Sequence, residues 1–282
     1  MDPLFICFIS LVSLLPQCHG QDWYKNALKE YPGLADVIGP PKVHLRVIGG
    51  EATTIEKLGG YLISLRYMGD FICGGTLIEA RIVVSAAHCF KGRSIIAEWV
   101  AVGGVTSLDE EGTRSKVQDI VSPAVFTERN MHMDVAVLLL ETPLEAPNIH
   151  TIPLCNSSLD AGRLLSVSGW GLTDPKAASP HQSIRTVLVP IVKKSECKKT
   201  YKKSMVITES MFCAGALGAK DACTFDSGGP FVYKRKDGVT ELCGIVSFGI
   251  SCASPKYAGV YTDVNYVKPF IEKTVAAFRS IM

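Results

Sequence analysis

One short stretch of the chain surrounds a serine with the neighbours that a nucleophile needs. Residues 221–230 read Asp-Ala-Cys-Thr-Phe-Asp-Ser-Gly-Gly-Pro, so Ser227 follows an acid and precedes two glycines. The glycines favour a tight turn that projects the hydroxyl outward and leaves the N–H of the serine free to donate. A hydroxyl is a weak nucleophile until a base takes its proton, so this stretch requires a histidine and an acid that orients the histidine.

Both partners are present elsewhere in the chain. His88 lies in Ser-Ala-Ala-His-Cys, beside a cysteine that could fix its position. Asp134 precedes the apolar run Val-Ala-Val-Leu-Leu-Leu, and an acid at the head of a buried strand needs a partner such as His88. We therefore expect His88, Asp134 and Ser227 to be the catalytic residues. His132 is close to Asp134 in sequence, but the motif around His88 favours His88 as the base.

The three motifs and their order, His88, Asp134 and Ser227, resemble the trypsin/chymotrypsin (S1-type) family of serine proteases over about residues 47–282. The resemblance implies a serine endopeptidase that uses no cofactor. Some members of the family bind calcium through acidic residues in a loop of the first lobe, but here Gly103 and Gly104 stand where an early ligand is expected, so no metal is expected. The combination of Thr-Phe-Asp-Ser-Gly-Gly with Val-Ser-Phe-Gly resembles some insect trypsin-like proteases, including seminal-fluid members.

The resemblance also implies a specificity pocket. Asp221 matches the acid at the bottom of the trypsin pocket, and a desolvated carboxylate there selects a cation, so cleavage after arginine or lysine is expected. Gly249 and Gly259 would leave the pocket walls bare. Ser247 is expected to hydrogen-bond the catalytic aspartate, and Phe248 to form an aromatic wall where the family usually has tryptophan. The run 247–249 would pair with the substrate backbone as an added strand.

One residue departs from the family pattern. Phe225 stands two residues before the serine, where the family usually has glycine, and the N–H groups of Phe225 and Ser227 would form the oxyanion hole. A side chain does not delete an N–H, but a strained non-glycine conformation costs on the order of 1–3 kcal/mol. The expected function is a trypsin-like endopeptidase; the alternative is a catalytically weak or inactive homologue that acts as a binding cofactor.

The sequence divides into three parts. Residues 1–20 are interpreted as a signal peptide, because the apolar run 4–15 is too short to span a bilayer and ends near small residues. An uncleaved anchor is the alternative. Residues 21–46 are polar and rich in turn signals, as expected of a flexible pro-segment, and residues 47–282 form the catalytic domain. The protein is expected to be secreted and extracellular, with no membrane span.

Activation is expected to follow cleavage after Arg46. In the resembled family, such a cut frees an α-amino group that inserts into the body and pairs with the acid before the nucleophile. Here that pair would be Val47 and Asp226, since a buried carboxylate needs a cation.

Ten cysteines in a chain with a secretory leader indicate an oxidising compartment. The family pattern implies three disulfides, Cys73–Cys89, Cys197–Cys213 and Cys223–Cys252. Cys155 and Cys243 are left over and are expected to pair with each other, because two buried free thiols are less common in a secreted protein. Two inert core thiols are the alternative. Asn156-Ser-Ser is a candidate glycosylation sequon.

The composition limits the partners. The formal net charge is only +2, so no nucleic-acid partner is implied. The expected partners are protein or peptide substrates, an upstream activating trypsin-like protease, and protein protease inhibitors. Six lysines do cluster around Cys197; a solvated face is the favoured interpretation, and an anion or heparin-like site the alternative. These lysines are Lys193, Lys194, Lys198, Lys199, Lys202 and Lys203.

Short apolar runs separated by turn signals predict an all-β fold. Two sets of about six strands suggest two antiparallel six-stranded β-barrels. The family resemblance implies the same fold, with the active site in the crevice between the two barrels. The first lobe would supply His88 and Asp134, and the second would supply Ser227. Helical spacing of apolar residues from Val267 to Phe278 predicts an amphipathic C-terminal helix.

Overall fold

Two antiparallel sheets form most of the structure, a computed structural model that describes residues 50–171, 180–215, 226–250 and 256–282. All of the described residues belong to one compact unit. Among them, no helix is both long and apolar enough to cross a membrane.

The first sheet is a closed six-stranded barrel in the order β2-β3-β4-β7-β6-β5. Its strands are β2 (Leu62–Tyr67), β3 (Asp70–Glu79), β4 (Ile82–Ser85), β5 (Trp99–Gly103), β6 (Thr113–Val121) and β7 (Ala136–Leu140). Every residue of β7 is buried, as expected of a strand that carries side chains into cores on both of its faces. The strand β6 was not predicted. It alternates polar exposed residues with the buried Ser115 and Val117, so its sequence contains little apolar signal.

The second sheet has seven strands in the order β1-β9-β8-β11-β12-β13-β10. They are β1 (Glu51–Ala52), β8 (Leu164–Gly169), β9 (Arg185–Pro190), β10 (Met211–Ala214), β11 (Pro230–Lys234), β12 (Thr240–Phe248) and β13 (Gly259–Asp263). The short strand β1 adds to the edge at β9, which the prediction of six strands did not include. An isolated antiparallel bridge between Ile191 and Ala214 brings the end of β9 to β10.

Within the described residues, three α-helices accompany the sheets: α1 (Ile55–Leu58), α2 (Lys194–Tyr201) and α3 (Val264–Arg279). The side chain of Asp263 caps α3 by accepting the N–H of Asn265 at 3.0 Å. Val267, Ile271 and Phe278 bury one face of α3 in the main core. The predicted all-β fold class with a C-terminal helix is therefore confirmed; of the two predicted six-stranded barrels, the first is a closed six-stranded barrel and the second is a seven-stranded antiparallel sheet.

Three disulfides join described residues: Cys73–Cys89, Cys155–Cys243 and Cys197–Cys213. They include the pairing expected for the two left-over cysteines. Cys223 and Cys252 lie outside the described residues.

Candidate active site

His88 and Asp134 form a hydrogen-bonded pair between two strands of the barrel. His88 lies in a short 3-10 helix, Ala87–Phe90, directly after β4, and Asp134 lies two residues before β7. The Nδ1 atom of His88 is 2.8 Å from Oδ2 of Asp134, and the backbone N–H of His88 donates to Oδ1 at 2.9 Å. The carboxylate is fully buried, while 22% of the His88 side chain is exposed. This geometry requires a proton on Nδ1, so in the neutral imidazole Nε2 is the nitrogen that accepts a proton.

The second sheet supplies hydroxyl groups that fix Asp134. The Oγ of Ser247 in β12 donates to Oδ2 of Asp134 at 2.5 Å, and the Oγ1 of Thr262 in β13 donates to the Asp134 carbonyl at 2.9 Å. Ser247 was expected in this role, whereas Thr262 was not identified from the sequence. Both hydroxyls are buried, so the acid is held inside a desolvated, fully hydrogen-bonded site.

The chain that leads into Asp134 has an unusual backbone. Met131 and Met133 are in the left-handed region, with φ of 50° and 55°, a conformation that costs a non-glycine residue roughly 1–2 kcal/mol. The Oγ of Ser210 accepts the N–H of Met133 at 2.9 Å. The same Oγ is 3.0 Å from Nδ1 of His132, which lies equally close to Oγ1 of Thr208. His132 is therefore part of the support behind Asp134, a role that its position in the sequence did not predict.

His88 is supported mainly by its own barrel. The adjacent Cys89 is bonded to Cys73 in β3, and Arg93 donates to the Cys89 carbonyl at 3.1 Å. The indole N–H of the fully buried Trp99 donates to the Arg93 carbonyl at 3.2 Å. These contacts fix the segment on both sides of the imidazole.

Ser227 lies at a tight turn before β11. The N–H of Gly229 donates to the Asp226 carbonyl at 2.9 Å, which closes a four-residue turn with Ser227 and Gly228 at its centre. Gly228 has φ of +74°, and a Cβ atom there would lie 2.2 Å from Oγ of Ser85. Only glycine fits this position. The Ser227 carbonyl accepts the N–H of Gly74 in β3 at 2.8 Å, so the turn is attached to the barrel that carries His88.

Asp226 points away from the solvent. It is 3% exposed, and its Oδ1 accepts the N–H of Gly171 at 2.8 Å. A Cβ atom at Gly171 would lie 2.1 Å from Oδ2, so the carboxylate packs directly against backbone. Its expected partner, Val47, lies outside the described residues, as do Arg46, after which cleavage is expected, and Asp221 and Phe225.

The expected substrate wall is partly described. Phe248 ends β12 and is half-buried, Gly249 follows it and is exposed, and Gly259 begins β13 and is buried. The ring of Tyr201 in α2 meets Phe248 edge-on, with centroids 6.2 Å apart. The hydroxyl of Tyr201 donates to the carbonyl of Ala258, next to Gly259, at 2.7 Å.

Two groups of described side chains contain enough candidate ligands for a metal ion. One joins His88 to Cys73 and Cys89, and the other joins Glu241 to Cys155 and Cys243. Both cysteines of each group are bonded to each other, and a metal is bound by thiolate. These groups therefore provide no thiolate ligand for a metal.

The fold and the Asp-His pair are those of a two-lobed serine protease. The trypsin family model matches residues 47–271, and the chain belongs to the trypsin family of serine proteases. It is 51% identical over 247 residues to seminase of Drosophila melanogaster, with 88% of each chain covered. It is 34% identical to the vitellin-degrading protease of Bombyx mori, covering 83% of this chain and 88% of the relative. Trypsin zeta of Drosophila melanogaster is 35% identical, with 82% and 86% covered. The resemblance to insect trypsin-like proteases is confirmed.

Proposed function

We propose that this serine protease is made as a secreted zymogen and cleaves proteins after arginine or lysine through Ser227, His88 and Asp134. The observation that carries the proposal is the buried Asp134 carboxylate that bonds Nδ1 of the partly exposed His88 at 2.8 Å. The membership of the trypsin family supports protein substrates.

In this mechanism His88 acts first as a base. Nε2 takes the proton of the Ser227 hydroxyl as its oxygen attacks the carbonyl carbon of the substrate, and later donates that proton to the leaving amine. Asp134 holds the proton on Nδ1 and stabilises the imidazolium, while Ser247 and the His88 N–H keep the carboxylate in place. The N–H groups of Ser227 and Phe225 are the proposed donors to the oxyanion.

We propose that cleavage after Arg46 activates the enzyme. The new α-amino group of Val47 would pair with Asp226, whose carboxylate is buried beside Gly171 and gains stability from a cation. Specificity for arginine and lysine is assigned to Asp221, with Gly249 and Gly259 in the pocket walls and Phe248 beside them. Asn156 is exposed, so its sequon is a proposed glycosylation site.

The test begins with cleavage of the purified full chain after Arg46, followed by labelling with a fluorophosphonate. We expect labelling of the cleaved protein, little labelling of an Arg46→Gln protein, and none of Ser227→Ala. Failure of the fully cleaved protein to react would instead favour a non-catalytic homologue that acts as a binding cofactor.

The specificity is tested separately on matched arginyl and phenylalanyl amides. Because a buried cation without its partner costs roughly 3–5 kcal/mol, Asp221→Ser is expected to reduce the preference for arginine by about 10² to 10⁴. Unchanged cleavage after arginine in Asp221→Ser would remove Asp221 from the pocket.

A further inference from the structure

The helix α2 and the turn after it carry a concentrated positive charge. Residues 193–203 contain six lysines and one glutamate, which gives the segment a formal charge of +5. The whole chain carries only +2, so the rest of the chain is net negative. The positive charge is therefore localised on one part of the surface and is not a property of the protein as a whole.

Five of the six lysines on this segment divide into two groups. Lys194 and Lys198 both bind the carboxylate of Glu209, at 2.9 and 2.6 Å. Hydrogen bonds and charge from Lys198 and Lys194 lower the pKa of Glu209 to about 2. Lys199, Lys202 and Lys203 are exposed and make no ion pair with any residue that the structure describes. The acidic partner thus neutralises one side of the helix only.

The second group forms a continuous patch. Positions 199, 202 and 203 are spaced as i, i+3 and i+4, and Lys202 keeps a right-handed helical backbone, so the three side chains leave from one side. The pKa of Tyr257 is lowered by side-chain hydrogen bonds with Ser204 and Lys256, and by the positive charges of Lys256 and Lys203. Lys256 is exposed and lies over the Tyr257 ring at 5.1 Å. We call Lys199, Lys202, Lys203 and Lys256 the basic patch.

The backbone beneath the basic patch is held firmly. Cys197 is bonded to Cys213 in β10, and the buried Tyr201 donates its hydroxyl to the Ala258 carbonyl at 2.7 Å. Tyr257 packs edge-on against Tyr201, with centroids 5.2 Å apart. The charges therefore stand on a preorganised support, which reduces the entropy lost on binding.

We propose that the basic patch binds a sulfated polysaccharide, which docks the protease on an extracellular matrix. Within the patch, the ammonium groups of Lys199, Lys202 and Lys203 stand at helical spacing and make no ion pair with a described residue, an arrangement that complements a linear chain of repeated sulfate groups. The aromatic rings beside the patch, Tyr201 and Tyr257, pack against each other. Tyr201 is fully buried and Tyr257 is half-buried, whereas binding of single-stranded nucleic acids uses accessible aromatic rings on which successive bases stack.

The test uses the full-length protein and immobilised heparin as the probe. We expect retention at about 0.15 M NaCl, the physiological ionic strength. A Lys199→Gln, Lys202→Gln, Lys203→Gln variant is expected to bind roughly a hundredfold more weakly, at about a factor of five per lysine. The slope of log affinity against log salt is expected to fall by about two to three.

The matched control removes three exposed lysines elsewhere: Lys57, Lys116 and Lys236. It has the same net charge as the patch variant and is expected to bind heparin like the parent. Fluorophosphonate labelling of both variants after activation is expected to match that of the parent, and Ser227→Ala is expected to bind heparin normally. The heparin assay and the fluorophosphonate assay therefore test the docking proposal and the proposed catalytic function separately.

Three outcomes would overturn the proposal. Equal losses in the patch and control variants would mean that heparin responds to net charge alone. A patch variant that elutes with the parent would show that the lysines do not contact the polyanion. Equal affinity for oligothymidylate of the same charge, lost in the same variant, would assign the patch to nucleic acids.

Discussion

His88 is held by its own barrel, whereas Asp134 is held largely by the other sheet. The His88 segment depends on the Cys73–Cys89 disulfide and on the hydrogen bond from Trp99, all within the first barrel. The Asp134 segment depends on hydroxyls of Ser247 and Thr262, which belong to β12 and β13 of the second sheet. One member of the pair is thus positioned locally, and the other by packing between the sheets.

This difference explains how a strained segment can carry the acid. Met133 adopts a left-handed backbone that is unfavourable by itself, and the hydroxyl of Ser210, just before β10, accepts its N–H. The strain persists because the second sheet supplies the compensating hydrogen bonds. Geometry at the proposed catalytic pair therefore depends on correct docking of the two sheets.

The largest effect is expected when the acid itself is changed. Asp134→Asn keeps the size of the side chain but no longer enforces a proton on Nδ1 of His88. By analogy with other serine proteases, turnover at neutral pH is expected to fall about 10⁴-fold. The measurement is kcat on an arginyl amide after activation, with unfolding curves to show an intact fold. A loss below tenfold would remove Asp134 from the mechanism.

The disulfides separate local support from global stability. Replacing Cys73 and Cys89 by alanine opens a loop of 16 residues and is expected to cost roughly 3 kcal/mol of unfolding free energy, and to lower kcat because His88 loses its anchor. Replacing Cys155 and Cys243 opens a loop of 88 residues and is expected to cost about 4–5 kcal/mol. This second pair joins residue 155 to β12 and does not anchor the His88 segment, so the kcat of the folded fraction is expected to stay near that of the parent.

Equal losses of kcat in the two disulfide variants would contradict local support of His88. Denaturant unfolding of each variant, with active sites counted by fluorophosphonate, distinguishes a smaller folded fraction from a slower enzyme.

A smaller effect is expected at the hydroxyls behind Asp134. Ser210→Ala leaves the N–H of Met133 without its acceptor, and a buried unpaired group costs about 1–3 kcal/mol. Thr262→Val removes the donor to the Asp134 carbonyl. Each is expected to lower kcat by about tenfold with little change in KM, if half or more of that energy is lost at the transition state.

The control for these variants is the Asp134→Asn background. If Ser210 and Thr262 act by positioning the carboxylate, their replacement should cost little further activity once the carboxylate is gone. Full additivity of the losses in kcat would show that the two hydroxyls act on overall structure and not through Asp134.

The fold class was predictable because most strands coincide with apolar runs that lie between turn signals. The strand β6 was missed because its inward residues include Ser115 and its outward residues are polar. The helix α2 was missed because its buried side consists only of Cys197 and Tyr201, four residues apart, among lysines. In both elements, tertiary packing buries too few residues to give a clear apolar periodicity in the sequence.

The site was predictable where chemistry restricts the residue type. His88 and the turn at Ser227 stand out because the motif around each is restrictive, and Ser247 was expected from its strand. Thr262 and Ser210 could not be identified, since a hydroxyl in a strand or loop is common and its partner is distant in sequence. His132 was set aside for the same reason, although its Nδ1 lies 3.0 Å from Oγ of Ser210.

The smallest effect tests whether the strain before Asp134 is compensated. Met68 and Gly69 form the two-residue loop of the β2–β3 hairpin, with φ of 53° and 94°. Such loops favour Asn-Gly, and Met68 is 68% exposed, so Met68→Asn is expected to stabilise the protein by roughly 1 kcal/mol. That corresponds to about 2–4 °C in Tm for a domain of this size.

Met133 has almost the same φ, 55°, but it is half-buried and packs against the main core. Met133→Asn is therefore expected to relieve the same strain and to lose packing, so that stability does not rise. Thermal unfolding of both variants in a Ser227→Ala background, which prevents self-digestion, gives the comparison. An equal rise in Tm for both would show that the segment before Asp134 gains nothing from its contacts and that the second sheet does not hold it.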